Sequence, residues 1–136
     1  MRAAILAVLF LSTSAAAWNA DPARGIATQT SADQTALVFV TCDGAFSFVR
    51  AKPAATIRFR IDGNTHWTLP AEPERAALTA GDAFVHSATL TDALLIELLD
   101  GMAMRVHWGD ADFDRFSLMG FAAALKQLSC TTDTTL

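Results

Sequence analysis

The stretch that decides the fold is "TALVFVTCDGAFSFVR", residues Thr35–Arg50. β-Branched and aromatic residues on both sides of Asp43-Gly44 are typical of two antiparallel strands joined by a tight hairpin. A two-residue turn there would pair Phe39 with Phe48 on one face of the hairpin and put Cys42 on the opposite face. Because both faces are then largely apolar, we expect both sides of the hairpin to be covered.

The flanking sequence predicts more short strands and two helices. "TIRFRI", Thr56–Ile61, alternates so that Ile57, Phe59 and Ile61 point inward and Arg58 and Arg60 outward. "MAMRVHW" alternates in the same way, with Met102, Met104, Val106 and Trp108 inward. Further short strands are predicted at 26–30, 65–69, 76–79, 83–87 and 116–118. A three-residue turn at Asp62-Gly63-Asn64 would set Phe59 against Trp67 and Ile57 against Leu69.

The leucine-rich stretch before Gly101 has helical spacing, with Thr89 as its predicted cap and Gly101 as its end. A second helix is predicted over Met119–Ser129, with Phe121, Leu125 and Leu128 as its buried stripe. The fold class is therefore mainly β with two short helices: an antiparallel β-sandwich or curled sheet of about seven to nine strands.

The first seventeen residues, "MRAAILAVLFLSTSAAA", have the pattern of a secretory signal peptide. Arg2 is basic, Ala3–Leu11 is apolar, and Ala15–Ala17 supplies the small residues of a cleavage site. The apolar run is shorter than the roughly 20 residues that a permanent membrane helix needs. We expect a signal peptide at 1–17, a single β-rich domain at 18–136 without a membrane span, and a periplasmic or secreted location.

Composition and motifs exclude several classes of function. The chain has 10 Lys and Arg against 14 Asp and Glu, a net charge of −4, which argues against a nucleic-acid partner. It contains no H-E-x-x-H, no G-x-S-x-G and no glycine-rich phosphate loop, so no catalytic residue, cofactor or metal site is predicted. His66, His86 and His107 are dispersed, and a functional role for any of them stays open. His66 and His107 each precede a tryptophan, which places them on the face opposite that tryptophan.

The acidic stretch that starts at Asp110 resembles the beginning of a calcium-binding EF-hand loop, with carboxylates at its first, third and fifth positions. The match then fails, because Arg115 stands where glycine is needed and Phe121 where glutamate is needed. A solvated turn is the favoured interpretation, and a weak calcium site at Asp110–Asp114 stays open.

Cys42 and Cys130 are the only cysteines. In an exported chain an even number most simply forms an intramolecular disulfide, which over so long a loop would stabilise the fold by roughly 4–5 kcal/mol. The alternatives are that both cysteines are reduced, buried thiols or that a disulfide joins this chain to another. An intramolecular bond would lay the final helix over Val38, Val40 and Val49, on the back of the central hairpin.

The order of these pieces resembles the invasion-associated locus B proteins and the VasI-like proteins associated with type VI secretion, which are small exported proteobacterial proteins. This resemblance implies a periplasmic or secreted, β-rich and non-enzymatic protein, and it carries over no catalytic residue. The residues that match are Trp18, Cys42, Ile61-Asp62, Trp67, Leu94–Gly101, Phe116–Phe121, Ala124-Leu125 and Cys130.

The leading hypothesis is a non-enzymatic envelope or secretion-associated protein that binds another protein, whose identity the sequence does not indicate. Arg58, Arg60 and Trp67 are the candidate partner-binding residues, because two cations and an aromatic ring could share one exposed strip. The first alternative is an inhibitor of a secreted hydrolase that presents the stretch Pro70–Asp82 as a protruding loop. The second is a small hydrolase with a dispersed site.

Overall fold

The computed structural model describes residues 18–54, 56–70, 74–78, 81–109 and 112–128. In these ranges the chain forms two antiparallel sheets and two helices, which confirms the predicted fold class. The predicted signal peptide, residues 1–17, lies outside the described residues and stays a prediction. No helix in the described ranges has both the length and the apolar character needed to cross a membrane.

Ten strands and two helices follow one another along the described residues. They are β1 (Asn19–Asp21), β2 (Ile26–Thr30), β3 (Ala36–Thr41), β4 (Ala45–Arg50), β5 (Thr56–Ile61), β6 (Trp67–Pro70), β7 (Glu74–Leu78), β8 (Gly81–Thr89), α1 (Asp92–Asp100), β9 (Ala103–His107), β10 (Phe113–Ser117) and α2 (Phe121–Leu128). The first sheet has the order β1-β2-β3-β4-β8-β7, and the second has the order β10-β9-β5-β6. The strands predicted at 76–79 and 83–87 correspond to β7 and β8, which pair with each other. The described part of Pro70–Asp82 is therefore paired strand and not the loop that the inhibitor alternative requires.

The central hairpin forms, but its register differs from the prediction by one residue. Val38 pairs with Phe48 and Val40 with Phe46, so the connection is one residue longer than a two-residue turn allows. Gly44 has a φ of +89° and donates its N–H to the carbonyl of Thr41 at 3.0 Å. These features are typical of a type I turn followed by a left-handed residue, a common three-residue hairpin connection.

This register decides which side chains enter the core. Because strand side chains alternate, a slip of one residue exchanges the two faces of one strand relative to its partner. Val38, Val40, Phe46 and Phe48 are all buried on the face that meets the second sheet, whereas Phe39 is half-buried on the outer face. The predicted pair of Phe39 and Phe48 does not form, and the side chains of the outer face are partly covered.

Aromatic side chains from both sheets fill the space between them. The centroid of the Phe48 ring lies 5.1 to 5.9 Å from the rings of its four aromatic neighbours, which are Phe46, Phe59, Trp108 and Phe116. Ile57, Phe59 and Ile61 are buried as predicted. Met102 is 62% exposed instead of inward, because β9 begins one residue later.

Helix α1 closes one end of the sandwich. Its cap is Thr91, whose hydroxyl accepts the N–H of Leu94, so the prediction of Thr89 as the cap is wrong by two residues. The helix ends before Gly101 as predicted, but Gly101 has an ordinary φ of −85°. A Cβ at Gly101 would overlap Ile61 Cγ2, so glycine is needed there for space and not for backbone freedom.

Helix α2 docks against a different part of the first sheet than predicted. It packs on β1, β2 and α1, and the rings of Phe121 and Trp18 meet edge to face at 4.8 Å. The predicted position over Val38, Val40 and Val49 is therefore wrong, since Val38 and Val40 face the sandwich interior. Cys42 is not a free thiol, and its predicted partner Cys130 lies outside the described residues, so the pairing of these two cysteines stays a prediction.

Candidate functional site

The outer face of the second sheet carries the arginines that the sequence singled out. Alternation along β5 puts Ile57 and Phe59 into the core, and Arg58 and Arg60 therefore point away from it. Arg58 is exposed and Arg60 is half-buried. The two side chains lie two residues apart on one strand, which corresponds to about 7 Å along the sheet.

Neighbouring strands add two further arginines to this face. On β9, Arg105 is paired with Arg60, and on β10, Arg115 is paired with Arg105. Three arginines thus stand side by side in one row across three strands, whose neighbours lie about 4.8 Å apart. The next row consists of Arg58, His107 and Phe113. We call the surface made by these two rows the arginine face.

The sequence pointed to part of this face only. The alternation of "MAMRVHW" predicted that Arg105 and His107 lie opposite the inward side chains, and both do. What the sequence did not indicate is that β9 lies beside β5, because this pairing joins strands separated by β6, β7, β8 and α1. Arg115 and Phe113 were missed, since they were assigned to an acidic loop that instead continues into β10.

Trp67 does not belong to the arginine face. It pairs with Phe59 as predicted, and the two rings stack with centroids 6.4 Å apart on the inner side of the sheet. Its indole Nε1 donates to Glu97 Oε1 of α1 at 3.1 Å. Trp67 therefore joins α1 to the second sheet and does not share a surface with Arg58 and Arg60.

The arginines of the arginine face form no ion pair within the part of the chain that the structure describes. Like charges directly opposite one another on neighbouring strands destabilise a sheet. The ion pair found within the described ranges joins Arg24 to Asp21, and none of the arginines of this face takes part in one. Four of the ten basic residues of a net acidic chain are thus concentrated on one side of one sheet. Such a concentration favours contact with an anionic surface.

A small cleft lies within the arginine row. It measures about 190 Å³ and is lined by Arg60, Asp62, Ala103, Met104, Arg105 and Arg115. The carboxylate of Asp62 already accepts the backbone N–H groups of Met102 and Ala103 at 3.1 to 3.3 Å. Arg105 Nε is shielded from solvent and has no hydrogen-bond partner among the described residues. We call this space the arginine cleft.

The histidines of the chain do not meet in one site. The rings of His66 and His107 lie 6.1 Å apart at the margin of the arginine face. Burial lowers the pKa of His107, and the nearby cations Arg58 and Arg105 lower it further, so His107 is neutral at pH 7. His86 is buried on the inner face of the other sheet, where its Nε2 accepts the N–H of Ala54 at 3.4 Å.

Two carboxyl groups meet in a second cleft, of about 330 Å³, at the edge between the sheets. Asp114 is 7% exposed, and its Oδ2 accepts Trp108 Nε1 at 2.7 Å. Asp33 Oδ1 accepts the hydroxyls of Thr35 at 2.8 Å and Ser31 at 2.9 Å. The Thr35 hydroxyl also lies 3.5 Å from Asp114 Oδ2. These bonds connect the turn between β2 and β3 to β10, and so they hold the two sheets together.

The two carboxyl groups have opposite pKa shifts. Hydrogen bonds from Thr35 and Ser31 lower the pKa of Asp33 to about 2. Burial raises the pKa of Asp114, although the bond from Trp108 opposes this. Because Asp114 lies within β10, the acidic stretch does not form an EF-hand loop in its described part. Within the described ranges no three potential metal-ligating side chains come together.

No protein-family model matches the chain, and no curated protein matches its sequence. Among solved structures, the chain is similar to the crystal structure of invasion associated protein B from Bartonella henselae. The TM-score is 0.56 at 13% sequence identity, over 79% of this chain and 85% of that chain. The fold expected from the resemblance to invasion-associated proteins is thus confirmed. The expected relation to the VasI-like proteins stays a prediction.

Proposed function

We propose that the chain is an exported, non-enzymatic envelope or secretion-associated protein that binds another protein through the arginine face. One observation carries this proposal: Arg60, Arg105 and Arg115 stand directly opposite one another, and none of them forms an ion pair within the described ranges. Such a row opposes folding, because like charges on neighbouring strands repel each other. An acidic surface on a partner protein would supply countercharges.

The composition of the arginine face fits a protein partner. Phe113 lies beside the arginines and is 46% exposed. Arginine and aromatic residues are enriched in protein interfaces, where they often contribute most of the binding energy. The predicted signal peptide and the shared fold with an invasion associated protein support an extracytoplasmic role.

A partner that binds a basic surface is held by electrostatic attraction, which salt screens. The complex should therefore weaken as the salt concentration is raised.

The test is a charge reversal with a matched control. The double variant Arg58→Glu with Arg60→Glu should lose a partner that the wild-type protein captures from the periplasmic extract of its own cells. The control is Arg24→Glu with Lys126→Glu, which changes the net charge by the same amount at exposed positions outside the face. Neither variant should unfold at a much lower temperature than the wild type, since Arg60 is half-buried and the other changed side chains are exposed.

The expected result is that the control captures the same partner as the wild type, while the arginine-face variant does not. Crosslinking of the identified partner to the wild-type protein should also fall as salt increases from low to physiological concentration. Equal capture by both variants would show that the arginine face is not the binding surface.

A small hydrolase is the second candidate, because the opposite pKa shifts of Asp33 and Asp114 resemble those of acid and base pairs in enzymes. Their oxygens, however, already accept hydrogen bonds that join the two sheets. If the purified protein hydrolyses any substrate in a panel of esters, peptides and glycosides, Asp114→Asn should abolish that activity. The inhibitor alternative has less support, since the described part of Pro70–Asp82 is paired strand.

A further inference from the structure

We propose that the arginine cleft binds one carboxylate of an extended partner segment, and that the side chain two residues away in that segment packs on Phe113. This inference rests on the proposed function, because a protein partner supplies its negative charges as aspartate and glutamate. It adds the conformation of the bound segment and the order of its side chains, which the charge of the face alone does not give.

The charges around the cleft favour an anion. Three guanidinium groups line it against one carboxylate, that of Asp62. Asp62 already accepts the backbone N–H groups of Met102 and Ala103, so its carboxylate is directed at the start of β9. Arg105 Nε is shielded from solvent and has no partner among the described residues, so this side chain already bears a desolvation cost. A carboxylate in the cleft, held by the terminal N–H groups of the guanidinium, would offset this cost.

The side chain of Arg105 is held in place before any ligand binds. Its guanidinium carbon lies 4.3 Å from the centroid of the Phe113 ring. This cation–π contact fixes the planar group on the aromatic face and reduces the conformational entropy that binding would otherwise cost. A planar guanidinium can then form two parallel hydrogen bonds to one carboxylate, a geometry that a lysine cannot offer.

The spacing of the two rows selects an extended segment. Arg105 and His107 lie two residues apart on β9, as do Arg115 and Phe113 on β10 in the opposite direction. This separation is about 7 Å, and it equals the distance between side chains i and i+2 of an extended chain. A segment that runs along β9 and β10 with its carboxylate in the cleft therefore brings its next same-face side chain over Phe113. An apolar residue fits this position, because Phe113 is 46% exposed.

The experiment uses the purified protein and short peptides, so that it does not depend on the folding of a variant. The Nε–H signals of the arginine side chains are followed by NMR while the capped peptide Ser-Glu-Ser-Leu-Ser is added. The matched peptides are Ser-Gln-Ser-Leu-Ser, which lacks the charge, and Ser-Glu-Leu-Ser-Ser, which has the same composition but adjacent glutamate and leucine. Inorganic phosphate is the fourth ligand.

We expect the first peptide to shift the Arg105 Nε–H signal and the ring signals of Phe113 together. Replacement of glutamate by glutamine should weaken binding by about tenfold or more, as the loss of a charge-assisted hydrogen bond implies. The peptide with adjacent residues should still shift Arg105, but only the first peptide should give nuclear Overhauser contacts between its leucine methyl groups and the Phe113 ring. Arg105→Lys should weaken the first peptide more than Arg24→Lys does, since Arg105 lines the cleft and Arg24 does not.

Several outcomes would overturn the inference. It fails if the glutamate and glutamine peptides bind equally, or if both spacings give the same contacts between leucine and the Phe113 ring. It also fails if phosphate binds more tightly than the peptide and displaces it. In each of these cases the proposed function survives as long as charge reversal at Arg58 and Arg60 still removes the partner. If that charge reversal has no effect while the peptide binds in the cleft, the cleft is a carboxylate site but the proposed function is wrong.

Discussion

The two phenylalanines Phe39 and Phe48 provide the sharpest test of the register in the central hairpin. With a two-residue turn they would face each other on the same side of the sheet, and their removal would have similar effects. In the structure they lie on opposite faces, with Phe48 fully buried and Phe39 half-buried. We therefore predict that Phe48→Ala destabilises the protein much more than Phe39→Ala.

The magnitude follows from the surroundings of each ring. A buried phenylalanine replaced by alanine costs about 3–5 kcal/mol through lost burial and the cavity that remains. The four rings within 5.9 Å of Phe48 place it at the upper end of this range, since each aromatic pair adds about 0.5–1.5 kcal/mol. Phe39 lies on the outer face and is incompletely buried, so its loss costs about 1–2 kcal/mol.

Urea unfolding followed by tryptophan fluorescence measures the difference. With an m-value of about 1.5–2 kcal/mol/M, the midpoints of the two variants should differ by about 1 M or more, with unchanged slopes. Equal losses in the two variants would refute the register and restore the pairing of Phe39 with Phe48. A larger loss in Phe39→Ala would mean that the sandwich core lies on the other face of the hairpin.

The other predictions concern one glycine, one carboxyl group and one cysteine pair. Gly101→Ala should cost about 1–3 kcal/mol through overpacking, since its Cβ would overlap Ile61 Cγ2, and thermal unfolding measures it. Because the pKa of Asp114 is raised in the folded state, the wild type loses stability as pH rises through that pKa, whereas Asp114→Asn has no such group to titrate. The stability of Asp114→Asn relative to the wild type should therefore increase from about pH 3 to pH 7. Cys42→Ser and Cys130→Ser should each cost roughly 4–5 kcal/mol in urea unfolding, and together no more than one alone.

Controls and contrary outcomes follow from the same contacts. Gly63→Ala should be nearly neutral, because a Cβ at that position would have no neighbouring atom within 4 Å, and equal losses at both glycines would exclude a packing role for Gly101. If the stability of Asp114→Asn runs parallel to the wild type over the whole pH range, burial does not perturb Asp114. Additive costs of the two cysteine variants would show that Cys42 and Cys130 are not bonded to each other.

Local patterns predicted the type and direction of most elements. "TIRFRI" placed Arg58 and Arg60 outward, and the pairing of Phe59 with Trp67 and of Ile57 with Leu69 followed from the turn between their strands. The predictions that failed depend on small local differences: one additional residue in the turn at Gly44 and the choice between two threonines as the cap of α1. Because side chains alternate along a strand, the first of these differences was enough to exchange the predicted faces of the hairpin.

Alternation, turn residues and capping are properties of neighbours in the chain, and for this protein they were enough to predict a β-rich sandwich with two helices and an outward-facing pair of arginines. Which strands become neighbours is decided by packing over the whole molecule, since the burial of Phe48 among rings from both sheets requires one arrangement of β4, β5, β9 and β10. That arrangement brings Arg105 and Arg115 beside Arg60. The arginine face is therefore a product of tertiary structure, because its charges come from strands that no local pattern places together.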